Sequence, residues 1–187
     1  MAQQFPDISP ALARFIAAQP VFFTATATGT SRVNVSPREG AALRVPGPSA
    51  VVYLDQTGSG NETAAHLRAD GRMTVMFCAF SGPPRILRLY GRGRVIHRDS
   101  SEFAELLQRD YAGALPPGAR QMVWLDIDLV QTSCGYGVPL LEPVGERSVL
   151  RDWAAQKTPE ELRAYWEAKN LTSIDGLPTG LLDTPEA

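Results

Sequence analysis

Two cysteines and two histidines are all that this chain of 187 residues offers to a soft metal ion. Cys78 and Cys134 stand far apart, outside any ligand spacing, and only His66 and His97 carry imidazoles, so a multi-histidine or zinc-ribbon centre is excluded. The same scarcity fits free thiols in a reducing cytoplasm better than a disulfide framework. Charge of one sign is also missing: 18 basic residues face 20 acidic ones, for a formal net charge of −2. That balance gives no general pull toward nucleic acid or an anionic membrane. Apolar runs are short, and none approaches the roughly 20 residues of a membrane-spanning helix. The opening Met-Ala-Gln-Gln-Phe-Pro-Asp lacks the charged and apolar regions of a secretory signal, so a cytoplasmic protein is expected. No internal repeat, low-complexity tract, catalytic triad or acid–base dyad stands out.

What is present is an ordinary globular composition, 44% hydrophobic and 20% charged, in a chain long enough for one domain. Its organising stretch is Tyr53-Leu-Asp-Gln-Thr-Gly-Ser-Gly-Asn-Glu-Thr-Ala-Ala-His-Leu-Arg68, which reads as a strand end, a Gly/Ser loop and the first turns of a helix. Such a junction aims unpaired backbone N–H groups and the positive end of a helix dipole at one spot. Gly58 and Gly60 give the loop conformational freedom, while Thr57, Ser59 and Asn61 offer side-chain donors. The stretch therefore predicts an anion cradle, most naturally for a phosphate. The plain alternative is a capped turn that binds nothing.

Taken in order, Ser9-Pro10 predicts a capped helix to about residue 18, ended by Pro20. Residues 21–27 and 32–36 predict a hairpin, with Val33 and Val35 on one face and Arg32, Asn34 and Ser36 on the other. Pro37 should stop regular pairing, and residues 37–48 read as a surface loop. A short buried strand at 50–54 feeds the cradle, a helix covers about 61–69 and Gly71 closes it. Residues 72–80 read as a central strand, and 85–97 as a long strand bent at Gly91 and Gly93. Phe103, Leu106, Leu107 and Tyr111 mark an amphipathic helix. In 122–132, Val123, Leu125, Ile127 and Leu129 share one strand face, opposite Trp124, Asp126 and Asp128. Paired antiparallel, the two long strands would let Arg88, Arg92 and Arg94 meet Asp126 and Asp128. Trp124 is a candidate interface residue. Thr158-Pro-Glu-Glu161 is a capping box that opens a helix, and 171–187 reads as a loosely attached tail. About six strands with few helices favour a small antiparallel barrel whose openings are plugged by helices.

Five segments in register carry a resemblance to a known family: Phe23-Thr-Ala-Thr-Ala27, Arg32-Val-Asn-Val-Ser-Pro-Arg38, Tyr53-Leu-Asp-Gln-Thr-Gly-Ser-Gly-Asn61, Arg72-Met-Thr-Val-Met-Phe77 and Arg85-Ile-Leu-Arg-Leu-Tyr-Gly91. Over about residues 10–130 the chain resembles the pyridoxamine 5′-phosphate oxidase-like flavoproteins. The resemblance implies a mainly β, α+β fold, a six-stranded antiparallel split β-barrel over 1–145; from Arg147 the composition turns helical, and 146–187 is expected as a helical C-terminal extension packed on that domain. It also implies a homodimer with FMN in clefts between the subunits. The corresponding cofactor-binding positions are Asn34, Val35, Ser36 and Arg38, then Leu54 and Asp55, then Thr57, Ser59, Gly60 and Asn61. Arg38, Arg85 and Arg88 are the candidate cations for the phosphate.

Three departures separate the chain from the oxidase proper. Gly60-Asn61 stands where the oxidase carries a basic pair, Ile86 stands in place of a glutamine, and the C-terminus lacks a Trp/Arg clamp. They argue against oxidation of pyridoxamine 5′-phosphate itself. The leading expectation is a flavin oxidoreductase acting on a small molecule, with NAD(P)H as a candidate second substrate. The alternatives are a non-catalytic module that stores a flavin or another flat anionic cofactor, such as a deazaflavin or haem, and a structural dimer with a decayed cleft. His66 reads as a packed histidine rather than a proton donor. Cys134 has nothing in the sequence to depress its pKa, and Tyr136, in its Gly-rich loop, is a lesser candidate to cover a cofactor edge.

Overall fold

The computed structural model describes residues 2–183. A short strand β1 (Gln3–Phe5) precedes helix α1 (Pro10–Ala17). Ser9 caps that helix by accepting from the Leu12 amide at 3.3 Å, and Pro10 occupies its first turn. Strands β2 (Val21–Thr26) and β3 (Asn34–Glu39) form the first hairpin. A 3-10 turn at Gly40–Ala42 leads to β4 (Leu43–Gly47), which pairs with β5 (Ala50–Gln56). Helix α2 (Glu62–Ala69) follows, ended by Gly71 at φ +85°, and then β6 (Arg72–Cys78). The two longest strands, β7 (Ile86–His97) and β8 (Ala119–Ser133), flank helix α3 (Ser101–Tyr111). The chain closes with α4 (Val149–Ala155) and α5 (Pro159–Lys169).

One antiparallel sheet runs β3-β2-β6-β7-β8-β5-β4. Strand β8 is its spine: β7 pairs along one edge, while β5 and then β1 share the other. The sheet curls until its two ends meet, since the Phe22 ring of β2 packs edge-on to the Tyr53 ring of β5 at 5.4 Å. No ladder joins β3 to β5 among the described residues, so the barrel is split along that line. Its interior holds Phe22, Val51, Tyr53, Val75, Phe77, Leu87, Leu89, Val123 and Leu125. Each such side chain contributes on the order of 1.5–3 kcal/mol by leaving water. A second cluster, including Leu54, Ile96, Phe103 and Met122, packs α3 on the outside of β5 and β8.

The α+β split barrel expected from the sequence is the observed fold, with eight strands rather than six. β1 and β4 are the additions, and the loop expected at 37–48 is the end of β3, the 3-10 turn and β4. Pro37 sits inside β3, opposite Phe23, because β3 is an edge strand and its missing N–H leaves no partner unpaired. The alternation expected on β8 holds only as far as Asp128. Tyr90 faces Leu129 and Gly91 faces Ile127, so Asp128 is an extra residue bulged out of the ladder. Leu129 therefore turns toward the surface and Val130 enters the core. Gly91 permits this approach, since a Cβ there would lie 1.9 Å from the Asp126 carbonyl oxygen.

The expected arginine–aspartate register is replaced by other partners. Arg92 stands opposite Asp126, yet its guanidinium donates to the Asp70 carbonyl at 2.7 Å. Arg94 grips Glu102 at 2.6 and 2.7 Å, and Arg88 reaches Ser133 at 3.3 Å. Trp124 lies under Arg94 at 5.5 Å and donates to its neighbour Asp126. The tail is also firmer than expected. Ser173, Thr179 and Leu181 are buried, Asp175 pairs with Arg32, and the Leu181 carbonyl meets His97 at 2.9 Å. Residues 184–187 of that stretch lie outside the described residues.

Candidate functional site

Side chains, not main chain, close the barrel. From β3, alternate residues Asn34, Ser36 and Arg38 point across the split toward β5 and α2. Asn34 donates to Thr63 at 3.2 Å and to Thr26 at 3.4 Å, and Ser36 donates to Asn34 at 3.3 Å. Thr26 in turn meets His66 Nδ1 at 3.1 Å. Below them Arg38 donates to Asp55 at 2.6 Å, with its guanidinium 5.4 Å from the Tyr53 ring centre.

Asp55 is the hub of this seam. Its second oxygen accepts from Arg120 Nε and from Gln121, both at 2.8 Å. Burial alone would raise its pKa, but the charges of Arg120 and Arg38 and the Arg120 and Gln121 hydrogen bonds outweigh it. They hold the carboxyl below its ordinary range. Burial also pushes the Tyr53 phenol up to about 12, so it stays neutral. One carboxylate set against two guanidiniums leaves the cluster with a net charge of +1.

Loop 57–61 rests on this cluster. The Thr57 amide and hydroxyl both donate to the Gly118 carbonyl, at 2.8 and 2.7 Å. Arg120 donates to the Gly60 carbonyl at 3.0 Å, and Asn170 donates to the Gly58 carbonyl at 3.1 Å. In a trans peptide the carbonyl of one residue and the N–H of the next point opposite ways. With the Gly58 and Gly60 carbonyls turned inward, the Ser59 and Asn61 amides point away from the barrel. Asn61 stands at the N-cap position of α2 without making a side-chain cap, so the first helical amides are also uncapped. Instead its oxygen accepts from Gln121 at 2.8 Å, and its buried Nδ2 has no partner among the described residues.

The structure brings Asn34, Ser36, Arg38, Asp55, Gly60 and Asn61 together along the seam, with Ser59 exposed at its rim. Four other candidates stand apart. Val35 points outward, 61% exposed, and Leu54 packs against α3. Arg85 lies over Phe15 of α1 at 5.3 Å. Arg88 is opposite Met76, Met76 opposite Phe23, and Phe23 opposite Pro37, so three ladder steps of roughly 4.8 Å separate it from β3. Thr57 is close to the seam, but its hydroxyl is spent on Gly118 and on the Trp166 indole N–H, at 2.8 Å. Away from the seam, Tyr136 is exposed, and a hydrogen bond from its backbone amide draws the exposed Cys134 thiol below its ordinary pKa, which the sequence did not suggest.

Sequence reasoning missed Arg120, Gln121, Trp166 and Asn170. The first two precede the residue where the β8 alternation becomes legible. The last two belong to an extension that no local pattern ties to the loop. The unpartnered buried polar atoms provide the test of fit for an anion. Arg38 Nε and Asn61 Nδ2 are such donors, and both belong to the seam. With the outward amides and the net positive cluster they suit a phosphate. The two guanidiniums of the cluster, Arg38 and Arg120, are already shared with Asp55, which makes the grip a moderate one.

The family model described as pyridoxamine 5′-phosphate oxidase matches residues 8–134. Among curated proteins, the family member ustO of Aspergillus flavus is 44% identical over 190 residues, covering 93% of this chain and 76% of its own. A single-residue variant of HupZ from Group A Streptococcus superposes with a TM-score of 0.54 at 13% identity, covering 67% of this chain and 99% of its own. A candidate pyridoxamine 5′-phosphate oxidase from Lactobacillus delbrueckii gives 0.53 at 17% identity, covering 67% and 94%. At such identities these structures speak for the fold alone.

Proposed function

Because the chain belongs to the pyridoxamine 5′-phosphate oxidase family, we propose that its seam holds FMN and that the protein is a flavin-dependent oxidoreductase. The observation that carries this reading is the α2 N-terminus. Its amides at Ser59 and Asn61 face outward, the Asn61 Nδ2 is unspent, and the Arg38–Asp55–Arg120 cluster lies beneath. Ser59 and Asn61 would hold the phosphate, while Asn34 and Ser36 would set the polarity beside the ring system. Bound there, the flavin supplies hydride or electron transfer, and NAD(P)H is the candidate second substrate. The chain's own task is to bind, orient and exclude water. Asp55 stays ionised and fully paired, so it offers the reaction no proton.

A second copy of the chain completes the cleft in this reading. Val33 and Val35, exposed on the outer side of the hairpin, are apolar surface for it to cover. The Gly60-Asn61 pair, with no cation of its own, favours a substrate other than pyridoxamine 5′-phosphate. A non-catalytic flavin carrier is the second reading, favoured by two titratable groups at the seam being out of reach of a ligand: Asp55 is locked in its ion pairs, and His66 is 1% exposed.

The absorption spectrum of the purified protein, taken before and after adding FMN, tests the proposal. A flavin spectrum bleached by NADH or NADPH, with turnover to an acceptor, is the expected outcome. Bound flavin without turnover selects the carrier. Colourless protein that takes up no FMN sinks both.

A further inference from the structure

Beneath the loop, on the side away from the outward amides, lies the C-terminal extension. Asn170 is fully buried and joins three parts of the molecule. Its Nδ2 donates to the Gly58 carbonyl at 3.1 Å, its Oδ1 accepts from Arg120 at 2.9 Å, and its carbonyl accepts from Thr179 at 2.7 Å. One turn earlier on α5, the Trp166 indole donates to Thr57 Oγ1 at 2.8 Å, and that hydroxyl donates onward to Gly118. The segment after α5 then reaches the helix itself, where the Ile174 amide donates to the Glu62 carboxylate at 3.1 Å. The extension thus holds the loop at Thr57 and Gly58 and the helix at its first residue.

We propose that Asn170 and Trp166 are positioning residues for the phosphate loop: the extension fixes which way the loop peptides face. The inference rests on the phosphate reading of that loop. Among the described residues the Gly58 carbonyl has one side-chain donor, Asn170, and while that bond holds, the Ser59 N–H must point outward. Release it, and the 58–59 peptide is free to rotate and turn a carbonyl oxygen toward the anion. Arg120 shares the arrangement, because Asn170 and Gly60 orient its two terminal nitrogens while Asp55 takes its Nε. A brace of this kind acts on the phosphoryl end of a ligand and leaves the ring end alone.

That asymmetry supplies the test. FMN and riboflavin share a ring system and differ by the phosphate, so both are titrated by fluorescence quenching against the full-length protein and its variants. Asn170→Ala is expected to weaken FMN about tenfold and Trp166→Phe a few-fold, with riboflavin affinity unchanged. Glu167→Gln, in the exposed ion pair with Arg163, should alter neither. Equal losses for FMN and riboflavin would reveal a merely structural role and overturn the proposal, as would an unchanged FMN affinity. If Asn170→Ala does not fold, Trp166→Phe decides the matter, since it removes the indole N–H and keeps an aromatic ring in the same place. Wild-type protein that binds neither flavin overturns the proposed function and this inference with it. Wild-type binding with indifferent variants overturns the brace alone.

Discussion

Asp55 is a carboxylate 1% exposed to water that accepts from three side chains, Arg38, Arg120 and Gln121. Removing its charge leaves two guanidiniums facing each other under the loop. Asp55→Asn is therefore expected to cost about 3–5 kcal/mol in urea denaturation at neutral pH. The pH dependence has a definite sign. A carboxyl depressed in the folded state stabilises fully above its unfolded pKa of about 3.9 and loses that contribution as pH falls through the folded value. Urea midpoints should thus drop below about pH 4 in the wild type, and the asparagine variant should show a shallower drop. Part of this site was legible in the sequence: the junction itself pointed to Ser59 and Asn61, and the family resemblance set Asn34, Ser36, Arg38 and Asp55 beside them. Arg120 was not, because its role depends on a strand pairing, Gln121 opposite Asp55, that only the folded sheet supplies.

Elements were most legible where one signal sufficed. Ser9-Pro10 and the Thr158–Glu161 box both cap the helices they announce. Edge strands were the failure, since the rule that removes proline from a ladder applies to strands paired on both sides. The bulge was half visible. Gly91 advertised a bend, but the extra residue lies on the partner strand, at Asp128, where no local feature marks it. Gly91→Ala offers a check on that geometry. The added methyl must displace the Asp126 carbonyl, so a loss of about 1–3 kcal/mol is expected, read as a lower midpoint in thermal or urea unfolding. A midpoint equal to wild type would mean the two backbones are not so close.

For the whole molecule, six of the eight strands along the chain and their antiparallel sense followed from the spacing of short apolar runs. The attachment of the tail did not, since one proline and two glycines at 171–183 look the same in a packed strap and in a free tail. Association is the property to measure at this scale. Sedimentation equilibrium is expected to give a dimer, and Val33→Glu, which places a charge on exposed apolar surface outside the seam, should shift the balance toward monomer. A monomeric wild type would contradict the two-copy cleft.

A cylinder buttoned down one flank, rather than zipped, can gape there with every rung of its ladders intact. Parting β3 from β5 and α2 breaks the Arg38–Asp55 link and the Asn34–Thr63 link, but no sheet hydrogen bond. Such breathing is far cheaper than global unfolding, and it gives a flat guest a sideways route inward. Thiol labelling should register it: a Thr63→Cys side chain, buried behind the seam, should react far faster than global unfolding allows, while the β2–β3 ladder amides stay protected from hydrogen exchange.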